Sequence, residues 1–506
     1  MYNAYVTTIK NLRKHPNADR LQLGECFGNT VCVSMEYTNN QIGIYFPTDG
    51  QLSFEFADAN NLLRKKDENG NNIGGYIDPD KRNVTAVKLR GEKSDGLFLP
   101  LSCVAYTGIN LDDLNVGDTI TTVNGHEICT KYIPRTQKRV GKPSTGNRTR
   151  KKKVPTAPLF AEHADTEQLA YNLGAFKPGD EVEITLKMHG TSQRTGYLPV
   201  FKGWNVKNKF FQGIVNKYAA SPNLSAFARK CVDIAMRGAT PIYDWDYVTG
   251  TRRVVLDTYD GGFYGSNEFR EQHHKMFEGK LHKGETVYYE VVGFTTDGAP
   301  IMSSVPNKRT ADKEFIKQYG ETTVFSYGCS PNGKVFSPNV EYFEGNIEAG
   351  IVAEHEVPQS DIYVYRMTMT NEDGDVVEYT PDFMRYRCEQ MGVKTVPVMW
   401  KGTIPLDEWT EECYDREGEF GNWVCHREGT AGEWIKTKAE QFYDGPDPVG
   451  KTHVREGVVC RIVNRPKFCA YKHKNFYFKC LEGIAKADAE APDMEEAQEE
   501  INEEEN

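Results

Sequence analysis

One lysine in this sequence is placed for chemistry. In Glu183-Ile184-Thr185-Leu186-Lys187-Met188-His189-Gly190-Thr191-Ser192-Gln193-Arg194, the alternation of Val182, Ile184 and Leu186 has the period of a half-buried strand. The run then breaks into a polar turn, with Lys187 at the break. A strand that ends there holds one amine rigidly while the turn leaves room for a ligand, and Gly190 allows backbone to approach a phosphate or ribose closely. An amine is a nucleophile only when unprotonated, so a lysine with its ordinary pKa of about 10.4 needs burial or neighbouring cations to act as one at neutral pH. Lys-x-x-Gly alone is a weak signal, because Lys88, Lys138 and Lys317 also begin one. The segments downstream of it decide between a nucleophile and a surface lysine at the end of a strand.

Lys187-Met188-His189-Gly190-Thr191-Ser192 resembles the nucleotide-accepting motif of the covalent nucleotidyltransferases, in particular the RNA ligases. Later segments keep that family's order. Tyr247-Val248-Thr249-Gly250-Thr251-Arg252 resembles the second motif, in which a Thr251-Arg252 pair would contact the substrate backbone. Tyr289-Glu290-Val291-Val292-Gly293 resembles the third, whose glutamate sits in the nucleotide pocket. Tyr363-Val364-Tyr365-Arg366 resembles the next, where Tyr365 would stack on adenine, although Arg366 replaces the more usual acidic neighbour. Arg455-Glu456-Gly457 resembles the fourth, with Glu456 facing the α-phosphate and its metal, and Lys472-His473-Lys474-Asn475 resembles the fifth. Strand alternation puts Lys472 and Lys474 on one face, an arrangement that asks for an anion between them. Singly, Glu290 reads as a sheet-edge charge, Tyr365 as a core aromatic, Glu456 as a turn acid and the two lysines as a solvated edge; it is their order after Lys187 that is specific.

The resemblance implies Lys187, Glu456, Lys472 and Lys474 as catalytic residues and Glu456 and Glu290 as holders of Mg²⁺ or Mn²⁺. It implies an ATP pocket walled by Glu167, Gln168, Leu186, His189, Gly190, Arg194, Glu290 and Tyr365. Glu167 and Gln168 belong to Glu162-His163-Ala164-Asp165-Thr166-Glu167-Gln168, which resembles the stretch before the lysine strand in RNA ligases; an N-cap of a short helix is the competing reading.

The framework around these residues comes from the rest of the chain, whose 506 residues suggest more than one domain. Residues 1–134 hold short β-like runs such as Thr30-Val31-Cys32-Val33-Ser34 and Gly43-Ile44-Tyr45-Phe46, which suggest a small barrel. His15-Pro16-Asn17-Ala18-Asp19-Arg20-Leu21 and Ala86-Val87-Lys88-Leu89-Arg90-Gly91-Glu92-Lys93-Ser94-Asp95-Gly96-Leu97 resemble the signature ends of OB-fold domains of the tRNA-binding type. Residues 135–154 read as a basic linker, with nine Lys and Arg and no acid. Residues 155–487 mix strands near 285–294, 361–367 and 457–463 with an amphipathic helix over 224–237.

Residues 488–506 hold ten carboxylates and no base, so this tail accounts for all but one of the eleven net negative charges, and its composition predicts disorder. A near-neutral body is compatible with a basic groove for nucleic acid. Twelve cysteines without a Cys-x-x-Cys pair suggest reduced thiols. No apolar run is long enough to span a bilayer, and the first residues lack a signal-peptide pattern. The expectation is a cytoplasmic, monomeric protein with no membrane partner.

The fold class expected is therefore multidomain, an N-terminal β-barrel (OB-fold) followed by an α+β nucleotidyltransferase domain with antiparallel sheets. That domain order resembles the fifth RNA-ligase group, whereas DNA ligases and capping enzymes carry the OB domain last. The resemblance implies an ATP-dependent RNA ligase that seals 3′-OH and 5′-phosphate ends at nicks in duplexes, with RNA or an RNA-containing hybrid as partner. Two alternatives stand beside it: a GTP-dependent capping-type guanylyltransferase, which His189 in place of the usual aspartate disfavours, and a non-catalytic OB-fold RNA-binding protein.

Overall fold

The computed structural model describes residues 2–66, 72–133, 155–206, 212–215, 225–236, 239–256, 259, 264, 266–338, 352–414 and 418–487. The basic segment 135–154 and the acidic tail 488–506 lie outside the described residues.

Two five-stranded sheets organise the second part of the chain. The first runs, in order, Glu167–Gln168, Ala470–Lys474, Gly457–Ile462, Glu181–Leu186 and Val398–Thr403. Its short first strand is parallel to its neighbour and the other pairings are antiparallel. The second runs Thr240–Gly250, Thr191–Asn205, Glu285–Gly293, Ser360–Thr370 and Val376–Glu378, antiparallel throughout.

The alternation around Lys187 explains how the two sheets are joined. Val182 and Ile184 are buried with Val458, Cys460 and Ile462 of the neighbouring strand in one core, together with Leu169, Phe176 and Ile435. Leu186 and Met188 instead enter a second core containing Tyr289, Val291 and Phe478. The chain thus changes cores as the strand ends, and residues 187–190 form the strap from one sheet to the other.

The helix Pro381–Met391 fastens both sheets. Thr380 caps it by accepting from the Phe383 N–H, and proline occupies its first turn, where no intrahelical N–H is needed. Arg385 donates a fork of hydrogen bonds, 2.9 and 2.7 Å, to buried Glu183 of the first sheet. Arg387 does the same, at 2.9 and 2.8 Å, to Glu285 of the second. Burial on its own would raise the Glu285 carboxyl, and the Arg387 guanidinium brings it below the ordinary glutamate value.

The N-terminal region is built of several separate antiparallel sheets with the short helix Phe54–Ala59 among them, and its strand pairings do not close into the expected barrel among the described residues. One sheet has four strands in the order Leu97–Pro100, Ile42–Phe46, Ala4–Thr8, Thr119–Ile120, and another joins Lys10–Lys14, Leu21–Cys26 and Asn29–Ser34. The two stretches with OB-like signatures dock on each other. His15 is buried, accepts from the Asn17 N–H and therefore carries its proton on Nε2, which faces the Leu89 carbonyl at 3.0 Å. The Asn17 amide also donates to the Arg90 carbonyl.

This region packs against the sheets at several points. Tyr171 stacks on Tyr5, with ring centroids 4.6 Å apart, and meets Phe27 edge-on. Ala86 is buried with Phe476 and Cys480 of the helix Phe476–Ala487, and Lys479 donates to Asp95 at 2.6 Å. The expected helix near 224–237 spans Ala226–Ala235 behind a Ser225 cap. The described cysteines are free thiols, and no described helix is long and apolar enough to cross a membrane.

Candidate active site

Three adjacent strand ends of the first sheet build the site. Lys187 comes directly after the strand Glu181–Leu186, Glu456 precedes Gly457–Ile462, and Lys474 closes Ala470–Lys474. Register makes them neighbours, since Leu186 lies opposite Val458 and Gly457 lies opposite Lys474. The Lys187 N–H donates to the Gly457 carbonyl at 3.0 Å, which pins the start of the turn. Glycine is required at 457, because a Cβ there would lie 2.1 Å from the His473 carbonyl oxygen and φ is 145°.

The Lys187 ammonium sits 2.7 Å from Glu456 Oε1, and Lys474 Nζ approaches the same oxygen at 3.6 Å. Glu456 is only 2% exposed, and its Oε2 has no hydrogen-bond partner among the described residues. Lys474 also donates to both oxygens of Glu482, at 2.9 and 2.7 Å, one helix further on. Asn475 starts that helix by accepting from the Tyr477 and Phe478 N–H groups. The sequence asked for an anion beside Lys472 and Lys474; for Lys474 the fold supplies two, Glu456 and Glu482.

His189 faces this cluster, with Nδ1 3.7 Å from Glu456 Oε2, and its ring lies between Phe325 and Phe478 at 4.6 and 4.7 Å. Burial pushes its pKa down to about 4, with Lys187 and Lys474 adding to that and the Glu456 carboxylate opposing it, so the imidazole is neutral at pH 7. Gly190 has a packing reason beside the one its sequence position suggested. A Cβ there would lie 2.2 Å from the Val291 carbonyl oxygen, so glycine is needed for close packing on the second sheet.

The second sheet contributes Glu290 and Tyr365. Glu290 pairs in register with Ser192, and its Cγ lies 3.0 Å from where a Cβ on Gly190 would be. Tyr365 is the extra residue of a β-bulge, because Tyr288 lies opposite Arg366 while Tyr289 lies opposite Val364. Its hydroxyl meets the Ser192 hydroxyl at 3.0 Å, and its ring meets His163 edge-on at 5.0 Å. Arg366, whose place in the motif was anomalous, is buried, paired with Glu378 and stacked between Tyr288 and Phe468. It also meets His163 Nδ1 at 3.3 Å.

Several candidates stand differently from what the sequence suggested. Arg194 is 1% exposed, and its guanidinium donates to the carbonyls of Thr251, Phe160 and Arg253. These bonds position the turn after Thr240–Gly250. The Leu186 side chain is core, and only its backbone borders the site. The Thr251 hydroxyl accepts from the Val254 N–H, and Arg252 pairs with Asp165 at 3.1 Å, two residues on from His163. Glu167 and Gln168 form a short strand in which Gln168 lies in register with Lys472, and Gln168 also stands at the cap position of the short helical turn Leu169–Tyr171, without a side-chain capping bond. Tyr327 and Glu482, both in contact with this cluster, carry no local sequence signal: each meets its partner only through the fold.

No protein-family model and no curated protein matches the chain. Among solved structures it is similar to an RNA ligase from Naegleria gruberi. A mutant of that ligase with ATP and Mn aligns at a TM-score of 0.48 and 15% identity over 94% of this chain and 98% of that one. The form with PPi aligns at 0.48 and 15% over 94% and 97%.

Proposed function

We propose that the chain is an ATP-dependent RNA ligase that joins 3′-OH and 5′-phosphate ends, with Lys187 as the residue that carries AMP. The observation that supports this most is the cluster at the joint between the sheets: an amine 2.7 Å from a buried carboxylate, with a second lysine beside it. Glu456 Oε1 is the acceptor within reach of the Lys187 proton. Once deprotonated, Nζ attacks the α-phosphorus of ATP, a P–N bond forms, and pyrophosphate leaves. AMP then passes to the 5′-phosphate of the RNA, and the 3′-OH displaces it to close the phosphodiester. Such transfers need little from the protein beyond positioning and neutralisation of charge, which Lys474 and Lys472 supply from one strand face.

A divalent ion fits these residues. The buried Glu456 Oε2 lacks a hydrogen bond, while no group of three or more His, Cys, Asp or Glu is gathered among the described residues. One or two carboxylates, water and substrate phosphates are the usual shell of Mg²⁺. Glu456 and Glu290 would hold Mg²⁺ or Mn²⁺, whose chemistry is to neutralise charge on the phosphates.

On the same reading, residues 1–134 are an OB-fold domain, 135–154 a basic linker, 155–487 the adenylyltransferase domain and 488–506 an acidic tail. The partner is RNA, nicked in a duplex or hybrid, and the protein acts as a cytoplasmic monomer. Incubation of the purified chain with RNA carrying a labelled 5′-phosphate at a nick, with and without ATP, tests the ligase reading. Joined product only with ATP supports it; none under any metal condition overturns it.

A further inference from the structure

The strap that carries Lys187 is anchored from outside every motif that the sequence singles out. The backbone N–H of His189 donates at 2.7 Å to the hydroxyl of Tyr327, a residue 138 positions away and 3% exposed. Tyr327 has φ of 48°, in the left-handed region that bulky residues avoid. Strain of this kind persists only where the surroundings enforce it. They do so here: the ring meets buried His453 edge-on at 4.6 Å, and Gly450 packs so closely that a Cβ on it would lie 3.2 Å from Tyr327 Cα and 2.8 Å from the Gly328 nitrogen.

Gly450 and His453 belong to a closed loop that ends at the catalytic carboxylate. Asp447 accepts from the Gly450 N–H at 2.5 Å and donates its own N–H to the His453 carbonyl at 2.8 Å. His453 Nδ1 lies 3.0 Å from the Val454 carbonyl, and Glu456 comes two residues later. One tyrosine therefore touches both the strap of the nucleophile and the loop that delivers its carboxylate. Resting on the reading of Lys187 given above, we propose that Tyr327 is a positioning residue for adenylylation, which fixes the Lys187 strap relative to Glu456 through its hydroxyl. Burial, and next the Glu456 carboxylate, push the phenol far above the ordinary tyrosine range, so it stays protonated throughout the cycle.

Tyr327→Phe removes the acceptor and keeps the ring against His453. At saturating ATP, the rate of covalent labelling by ATP should fall about tenfold to a hundredfold, the equivalent of one buried hydrogen bond in the transition state. The KM for ATP should hold within about twofold, since positioning of the amine is not ground-state binding. Sealing of a nick that already carries AMP on its 5′-phosphate should be unchanged, because that step does not use the amine. Gly450→Ala, which pushes on Tyr327 from behind without touching the hydroxyl, should give the same split. A Tyr327→Phe protein with the wild-type labelling rate, or one that loses KM and pre-adenylated sealing as well, overturns the positioning role. A wild-type chain that takes no label overturns this proposal and the ligase reading together, whereas a labelled wild type with an unaffected variant overturns this proposal alone.

Discussion

Glu285 and Glu456 both lie almost fully buried among cations, and they are bonded in opposite ways. Glu285, in the second sheet, accepts from two nitrogens of Arg387, from the Tyr379 hydroxyl and from the His282 N–H. Its partners come from a helix and two loops, and every lone pair with a donor at hand is used. Glu456, at the end of the first sheet, has Lys187 at 2.7 Å and Lys474 at 3.6 Å on one oxygen and, among the described residues, no hydrogen bond on the other. A saturated pair is a fastening, costly to break and chemically idle. An unsaturated one retains capacity for a proton, a metal ion or a phosphate-bound ligand, and it is the one placed beside the Lys187 amine at the joint between the sheets.

That contrast is broken most directly by removing each carboxylate in turn. Glu456→Gln should lower covalent labelling by ATP on the order of a hundredfold or more, the scale of a lost charge-stabilising group, with a smaller effect on melting than Glu285→Gln. Glu285→Gln should do the reverse: a loss of about 3–5 kcal/mol from an uncompensated buried Arg387, seen in denaturant unfolding, with labelling per folded molecule near wild type. Equal effects of the two substitutions on both readouts would erase the distinction.

The N-terminal region sharpens it further. Removal of residues 1–154 takes Ala86 from Phe476 and Cys480, and Asp95 from Lys479, on the helix whose Glu482 holds Lys474. The shortened chain should lose on the order of 3 kcal/mol by these contacts, and its labelling by ATP should weaken as Lys474 loses its support. A shortened chain that melts and labels like the whole one would mean the helix 476–487 holds itself.

A smaller effect appears with acid. His273 lies away from the lysine cluster, and burial lowers its pKa to about 4. A histidine with a depressed folded value binds its proton in the unfolded chain first, so stability is full above the unfolded value of about 6.5 and falls as pH drops towards the folded one. At pH 5 this amounts to about 2 kcal/mol for one such group. His273→Gln should flatten that part of the stability–pH curve; an unchanged slope between pH 6.5 and 5 would assign the acid sensitivity to other histidines.

Much of the site was legible in the sequence because it is built at strand ends. The alternation of Val182, Ile184 and Leu186 placed Lys187 at a break, and period two placed Lys472 and Lys474 together, both consequences of local backbone geometry. The docking of His15 and Asn17 on Leu89 and Arg90 joins two stretches that the sequence singled out separately, and nothing local in either marks the other as its partner. Pairings across sheets were not legible. Nothing local marks Arg366 for Glu378 and His163, Arg385 for Glu183, or Tyr327 for the His189 N–H. The bonding of Arg194 was hidden for the same reason: its charge and its place in the motif suggested a ligand, and only the fold supplies the carbonyls of Thr251, Phe160 and Arg253 that accept from it.

The proposed covalent attachment of AMP to Lys187 is the step on which the ligase reading depends, and labelling with α-³²P-ATP tests it in one gel. The wild-type chain should retain label after denaturation, α-³²P-GTP should give none, pyrophosphate should remove the label, and Lys187→Ala, folded by circular dichroism, should take none. A Lys187→Ala protein labelled as strongly as wild type would contradict the assignment.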